Sequence, residues 1–176
     1  MQTTLAYRTL LPTDWEIYRA LRLAALQESP NAFGSTLAAE QLQPAEQWQD
    51  RLTTAQASKV DLALMALVDS DPAGLAWGQA DAKDSETVNI FQMWVAPQYR
   101  NLGIGKGLLE QIISWARNNN AKTVQLAAVC GDTPAMRLYS SMGFLPTGSP
   151  EPLREHSSLL SQNMILRLDE DNPHEK

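Results

Sequence analysis

The residues best suited to chemistry lie in one short segment, 95–106, which reads Val-Ala-Pro-Gln-Tyr-Arg-Asn-Leu-Gly-Ile-Gly-Lys. Gly103 and Gly105 fall between a strand-like run and a strongly amphipathic helical run. Glycines there allow a tight turn in which several backbone N–H groups converge on one anion. The helix start adds unpaired N–H donors and the positive end of its dipole, and Arg100 and Lys106 add two full charges. The segment therefore predicts a phosphate or pyrophosphate cradle.

Three known phosphate-binding patterns can be compared with this segment. A P-loop needs Ser or Thr after the lysine, but Lys106 is followed by Gly107, so the magnesium-binding hydroxyl is absent. A dinucleotide fingerprint needs Gly-x-Gly-x-x-Gly, and the glycines here do not have that spacing. The pattern Arg/Gln-x-x-Gly-x-Gly/Ala is matched by Arg100, Gly103 and Gly105. Taken by itself, the hexamer leaves open that its glycines serve packing alone.

A second segment follows about thirty residues later, at 132–144, and reads Asp-Thr-Pro-Ala-Met-Arg-Leu-Tyr-Ser-Ser-Met-Gly-Phe. Together the two segments resemble the GNAT superfamily of N-acetyltransferases. The first is similar to the family's pyrophosphate-binding motif. The second is similar to its Asn-x-x-Ala-x-x-Leu-Tyr…Gly-Phe motif on the following helix. The resemblance covers roughly 87–147, and two spaced motifs are far more specific than either alone.

The resemblance implies acetyl-CoA as the acetyl donor. No metal is expected, because the sequence has a single cysteine, Cys130, and only two histidines, His156 and His174. The pyrophosphate would bind the N–H groups of the glycine segment, and the pantetheine arm would lie along the 87–95 strand. Asp132 stands where the family usually has asparagine, so it either contacts the cofactor or only caps the helix that begins at Pro134. The cofactor-binding residues implied are Met93, Val95, Arg100, Asn101, Leu102, Gly103, Ile104, Gly105, Lys106, Asp132 and Ala135.

The resemblance also makes Tyr139 the candidate catalytic residue. An amine that attacks the thioester releases a thiolate, which the tyrosine hydroxyl could protonate as general acid. A tyrosine pKa of about 10 against a thiol pKa of about 8.5 makes this transfer uphill, so positioning must help. A packed aromatic at helical spacing is the alternative for Tyr139.

The general base is left open by the sequence. Many family members carry a glutamate on the strand equivalent to 87–95, but the corresponding position here is Asn89, which cannot accept the proton. Gln92 cannot either. Glu86 at the strand's start and Glu28 at the end of the first helix are both possible through a water molecule.

The expected acceptor is a primary amine, either of a small molecule or at a peptide or protein N-terminus. The 30–36 loop with Phe33 occupies the place where the family commonly builds its acceptor wall. Arg154 and His156 are expected to face solvent, and Cys130 to be a small buried residue. Trp48 and Trp94 are expected in the core. A non-catalytic acyl-CoA-binding or sensing module is the alternative function, because the strand carboxylate is missing.

The elements that must position these residues can be read from periodicity. Strands are predicted at 5–11, 60–68, 74–80, 87–95 and 123–129, with short strands from Phe144 and over 163–168. Helices are predicted from Ile17 to Pro30, from Pro44, over 104–116, and from Pro134 to Gly143. The fold class is therefore α+β: a mixed, largely antiparallel sheet with helices on both faces, as in the GNAT acyltransferase fold.

Length, composition and charge limit the remaining possibilities. The 176 residues are 44% hydrophobic and 19% charged, which predicts one domain over 1–168 and a flexible tail at 169–176. The net charge of −6 argues against a nucleic-acid partner. No secretory signal or bilayer-length apolar run is visible, which favours a cytoplasmic protein without membrane contact. A homodimer is the default for soluble enzymes of this size.

The charge is unevenly distributed along the chain. Between 88 and 131, four basic residues stand against Glu110 alone, a local charge of +3, which leaves −9 for the remainder. The basic region suits the phosphates of coenzyme A. The acidic remainder is expected to attract a cationic amine acceptor.

Overall fold

A computed structural model of the chain describes residues 2–168, and these form one eight-stranded sheet flanked by helices. The sheet order is β1-β2-β3-β4-β5-β8-β6, with β7 paired to β8. Every neighbouring pair is antiparallel except β4 and β5, which are parallel. The strands are β1 (Leu5–Thr9), β2 (Asp61–Val68), β3 (Asp71–Ala80), β4 (Thr87–Val95), β5 (Thr123–Val129), β6 (Leu145–Pro146), β7 (Glu151–Pro152) and β8 (Leu160–Arg167).

Five α-helices and two short 3₁₀ turns complete the described fold. The helices are α1 (Trp15–Glu28), α2 (Leu37–Glu40), α3 (Ala45–Ser58), α4 (Ile104–Asn118) and α5 (Pro134–Ser141). The 3₁₀ turns are Pro12–Asp14 and Pro97–Tyr99. Because parallel strands cannot be joined by a tight hairpin, α4 serves as the crossover between β4 and β5.

Strand alternation divides the interior into two hydrophobic cores, one on each face of the sheet. On β2, Ala63 and Met65 pack with α1 and α3, whereas Leu64 and Ala66 pack with α4. The α4 core is closed by six helix residues at helical spacing: Ile104, Leu108, Leu109, Ile112, Ile113 and Ala116. The fold class predicted from the sequence is confirmed.

The bounds of the central elements also agree with the sequence patterns, and the differences lie at the edges. Strands β4 and β5 match their predicted ranges, while the first strand stops at Thr9 rather than at position 11. The sequence missed α2, a single turn too short to show periodicity, which begins where the Thr36 hydroxyl accepts from the Ala39 N–H at 3.3 Å. The tail predicted at 169–176 lies outside the described residues.

Candidate active site

The turn before α4 presents a row of unpaired backbone donors. Asn101 and Gly103 adopt left-handed conformations, with φ of 64° and 80°, which curl the chain just ahead of the helix. The first helical bond runs from Gly107 N–H to the Gly103 carbonyl at 3.0 Å. Among residues 2–168, no acceptor binds any N–H between Asn101 and Lys106. Convergent free donors at the start of a fifteen-residue helix form an anion site.

Two glycines in α4 are explained by close approaches of neighbouring elements. A Cβ on Gly105 would lie 3.0 Å from Leu138 Cδ2 and 3.4 Å from Met93 Cε, so α5 and β4 both press against the first helical turn. A Cβ on Gly107 would overlap the ring of Tyr7 on β1. The packing alternative therefore accounts for Gly105 and Gly107, while Gly103 serves the turn, where a Cβ would meet only open space.

The two basic side chains of the cradle are engaged in ion pairs. Arg100 Nη1 and Nη2 lie 3.2 Å and 2.8 Å from the Glu28 carboxylate, and Arg100 Nε donates to the Val95 carbonyl at 3.0 Å. Glu28 also accepts from Trp94 Nε1 at 3.0 Å and from the Ser29 hydroxyl. Lys106 lies 3.7 Å from Glu110, one turn along the exposed face of α4. Arg100 thus ties the cradle to the end of α1.

A cleft opens where β4 and β5 separate. The two strands pair only over Thr87–Asn89 and Thr123–Gln125, although both continue well beyond those residues. Beyond the last pair lies a cavity of about 580 Å³, with Met93 on one wall. Backbone groups on the facing edges of β4 and β5 are left without a partner strand there. The cleft can therefore accept an extended molecule with its own amide groups.

A β-bulge shapes the β4 wall of the cleft. Gln92 and Met93 together stand opposite Ala76 of β3, which is a two-against-one register shift. Gln92 has φ of 53°, uncommon for a residue with a side chain, and its Oε1 accepts from the Tyr18 hydroxyl at 2.9 Å. The bulge re-aims the side chains beside the cleft, as bulges next to functional sites often do.

Tyr139 lies in the cleft wall, on α5. Its side chain is 6% exposed, its ring packs against Phe144 with centroids 6.1 Å apart, and its hydroxyl has no hydrogen-bond partner among residues 2–168. Burial raises the pKa of Tyr139 to about 12. The ring is packed, as the alternative interpretation required, while the hydroxyl remains available within the cavity.

The start of α5 corrects one interpretation of Asp132. The helix is capped by Thr133, whose Oγ1 accepts from the Met136 N–H at 3.1 Å, because the Thr133 backbone has the extended geometry of an N-cap. Asp132 instead pairs with Arg137 at 3.0 Å and is exposed. The capping alternative for Asp132 is therefore wrong. Ala135 is exposed in the first turn of the same helix.

None of the proposed carboxylate bases lines the cleft. Glu28 is held by Arg100, and the hydrogen bonds from Arg100, Ser29 and Trp94 lower its pKa to about 2. Glu86 pairs with Lys122 at 2.6 Å beyond the paired end of β4. Asn89 does line the cleft, but its Oδ1 accepts from Gln125 Nε2 at 2.5 Å and its Nδ2 donates to Asp81 at 3.0 Å. Asn89 therefore closes the narrow end of the opening rather than acting on a proton.

The loop containing Phe33, which the sequence predicted as an acceptor wall, lines the cleft. Arg154, expected in solvent, instead donates to the Phe33 carbonyl at 2.8 Å and to the Pro30 carbonyl at 3.2 Å. His156 is exposed, as predicted. Cys130 was expected to be buried but is exposed, since it follows the last residue of β5.

Trp48 and Trp94 are buried in the core between the sheet and α1, as predicted.

Arg22 is the site residue that sequence reasoning missed. It lies on α1, is 3% exposed and lines the cleft on the side of the Phe33 loop. The available signal was its position one turn from Tyr18 and one turn from Leu26, both fully buried on the same helix face. An arginine in the middle of an apolar helix face is unusual, because charged side chains are rarely fully buried.

No helix among residues 2–168 has the length and apolar character needed to cross a bilayer. Within the same range, no cluster of three or more His, Cys, Asp and Glu side chains has an arrangement that could hold a metal ion.

Comparison of the sequence with known protein families identifies the family of this chain. The profile of the Acetyltransferase (GNAT) family matches residues 22–144. N-acetylaspartate synthetases from Rattus norvegicus and Danio rerio are 29% and 31% identical over 87 residues, or 49% of this chain. That match spans only 29% and 30% of those relatives.

Solved structures match over nearly the whole chain. A GNAT-family acetyltransferase from Streptococcus pneumoniae has a TM-score of 0.78 at 21% identity, with 94% of this chain and 100% of that chain covered. A Salmonella typhimurium protein with its cofactor acetyl-CoA has a TM-score of 0.79 at 18% identity, with 96% of both chains covered. An N-acetyltransferase from Thermoplasma acidophilum in complex with coenzyme A has a TM-score of 0.73 at 16% identity, with 93% and 99% covered. With its glycine cradle, divided β4–β5 pair and matching profile, the chain belongs to the GNAT family of acetyltransferases.

Proposed function

We propose that the protein transfers an acetyl group from acetyl-CoA to the primary amine of a small molecule by direct attack. One observation carries the proposal: the cleft between β4 and β5 contains Tyr139 and adjoins the N–H cradle of α4 through Met93. Met93 thus contacts both the cleft that contains the buried proton donor and the helix turn that forms the anion site. The GNAT-family match and the neighbours with acetyl-CoA or coenzyme A support the donor.

Acetyl-CoA is a substrate in this proposal, and the chain offers groups that fit each part of it. The free N–H groups from Asn101 to Lys106 would receive the pyrophosphate, as proposed for Arg100 through Lys106 from the sequence. The β4 backbone near Met93 and Val95 would pair with the pantetheine amides. Asp132 and Ala135, at the exposed start of α5, would flank the arm on its other side.

The donor supplies an acetyl carbonyl that a neutral amine attacks, forming the C–N bond as the C–S bond breaks. Tyr139 would donate its proton to the departing sulfur. Its raised pKa keeps it protonated at neutral pH but makes it a weak acid. Burial raises the pKa of a thiol as it raises the pKa of Tyr139. A coenzyme A thiol beside Tyr139 would therefore have a higher pKa than in water, and this reduces the pKa difference between the tyrosine hydroxyl and the thiol. The proton lost by the acceptor amine would leave through water, since Glu28 and Glu86 do not line the cleft and Glu40, which does, is paired with Arg51 and Arg22.

A small-molecule acceptor is favoured over a peptide N-terminus by two observations. The cavity volume of about 580 Å³ is within the range of small-molecule sites. The curated relatives are named for the synthesis of N-acetylaspartate, the product of acetylating a small amine.

A non-catalytic acyl-CoA-binding module is the second candidate. Asn89 in place of a carboxylate and the engaged state of Glu28 favour it. The two functions are separated by measuring thiol release from acetyl-CoA across a panel of amines, amino acids and short peptides. Turnover with a small amine is expected. Tight acetyl-CoA binding without thiol release from any acceptor would instead establish the binding module.

A further inference from the structure

Arg22 is a buried charge that the protein itself does not satisfy. Its Nε and Nη1 are inaccessible to solvent and have no hydrogen-bond partner among residues 2–168. Its Nη2 lies 3.6 Å from Glu40 Oε1, beyond a good hydrogen bond, and its guanidinium rests 4.9 Å from the centre of the Phe33 ring. Buried donors without partners cost stability, and more so when charged. A group retained at that cost is a candidate for ligand binding.

Glu40 does not neutralise the positive charge around Arg22. Arg51 Nη1 donates to the other Glu40 oxygen at 2.8 Å, a shorter contact than the one between Arg22 and Glu40. Two guanidinium groups therefore share one carboxylate. Tyr18, the nearby titratable group on α1, has its pKa raised by burial and contributes no negative charge at neutral pH. The cluster of Arg22, Arg51 and Glu40 carries one net positive charge at the wall of the cleft.

The position of Arg22 separates it from the donor's phosphates. Arg22 and Tyr139 line the same cavity, but Tyr139 belongs to the core on the α4 face and α1 packs on the opposite face. The phosphates have their own cradle before α4, and the acetyl-pantetheine end is uncharged. An anion that reaches Arg22 must therefore belong to the acceptor.

We propose that Arg22 binds a carboxylate of the acceptor, so that the substrate class is a small amine that bears a carboxylate, that is, an amino acid. This inference rests on the proposed acetyl transfer. A carboxylate oxygen would accept a charge-assisted hydrogen bond from Nη1 or from Nε, the two donors of Arg22 that have no partner among residues 2–168. It would also balance the net charge of the cluster. The Phe33 ring would hold the guanidinium plane in place.

The test compares each L-amino acid with its amide and its decarboxylated amine as acceptors. Thiol release should favour the carboxylate form by roughly 10- to 100-fold in kcat/KM for the best acceptor, the effect of a hydrogen bond to a charged group. Arg22→Gln should remove this preference by raising KM for the amino acid, with KM for acetyl-CoA and for the amide unchanged. Arg167→Met, at an exposed arginine on β8, is the control and should keep the preference.

A binding measurement keeps the inference testable if the Arg22 variants do not fold. In the presence of coenzyme A, the wild-type protein should be stabilised against heat by an N-acetyl amino acid but not by the corresponding N-acetyl amino acid amide. Equal stabilisation by both, or equal turnover of amino acids and amides, would overturn the inference. Absence of turnover with every acceptor would overturn the proposed transfer alone, because carboxylate binding is measured independently of it.

Discussion

The ring and the hydroxyl of Tyr139 have different roles: the ring packs, and the hydroxyl is the proposed proton donor. The ring contacts Phe144, whereas the hydroxyl bonds to nothing among the described residues. Tyr139→Phe should therefore lower kcat by about 100-fold, within the range for a lost general acid, and leave KM for acetyl-CoA and the melting temperature nearly unchanged. Steady-state kinetics with thiol detection and a thermal melt measure both. A variant with full kcat would remove Tyr139 from the mechanism.

Glu28 makes the stability of the protein depend on pH in a defined window. Its pKa falls from an ordinary 4.5 to about 2 in the folded protein, so its charged form favours folding. The stabilisation is complete above about pH 4.5 and is lost as the pH falls toward 2. Both partners are partly exposed, so solvent screening limits the expected gain to about 1 kcal/mol.

Urea unfolding of Glu28→Gln and wild type at pH 7, 4 and 3 measures this effect. The difference in unfolding free energy should shrink as the pH falls. Glu86→Gln, which removes a more exposed ion pair with Lys122, should cost less than about 0.5 kcal/mol at pH 7. A Glu28→Gln difference that is the same at all three pH values would contradict the assigned pKa.

At the scale of elements, α5 holds Tyr139 in place through its cap. Thr133→Ala should destabilise the protein by about 1 kcal/mol and lower kcat, because the first turn of α5 loses its side-chain acceptor. Asp132→Ala removes only an exposed pair with Arg137 and should leave stability within about 0.5 kcal/mol. The unfolding free energies of the Thr133→Ala and Asp132→Ala variants distinguish the loss of a helix cap from the loss of an exposed ion pair. Equal destabilisation by both would mean that the cap assignment is wrong.

The sequence predicted the features that depend on neighbouring residues and missed those that depend on residues far apart in the chain. Strands β4 and β5 and the helix between them were predictable because alternation and helical periodicity are local signals. Arg22 was missed because its burial depends on Phe33 and Glu40, which only the tertiary fold brings to it. Arg154 was placed in solvent for the same reason, since its acceptors lie 121 and 124 residues away. Neither the Thr133 cap nor the β4 bulge follows from residue spacing alone.

At the scale of the whole molecule, Arg154 connects the segment between β7 and β8 to the loop that contains Phe33. It holds the Pro30–Phe33 segment from the connection between β7 and β8. Arg154→Ala should raise the acceptor KM severalfold through a looser Phe33, with KM for acetyl-CoA unchanged and stability lower by about 1 kcal/mol. His156 lies in the same connection but is exposed, so His156→Ala should match the wild type in acceptor KM, acetyl-CoA KM and stability. A rise in the acetyl-CoA KM instead would contradict this positioning role.

The short pairing between β4 and β5 also has a mechanical consequence. Among residues 2–168, three residue pairs form the β-ladder that joins the β1–β4 portion of the sheet to β5, β6 and β8, and α4 lies in the covalent connection between the two portions. We call this short β4–β5 pairing, over residues 87–89 and 123–125, the seam of the sheet. Few backbone hydrogen bonds between strands have to break for β4 and β5 to separate there. Amide protons along the seam should exchange with solvent faster than those of β2 and β3, which pair along their whole length. A ligand that binds backbone groups of both β4 and β5 beyond the paired residues should slow amide exchange in both strands at once.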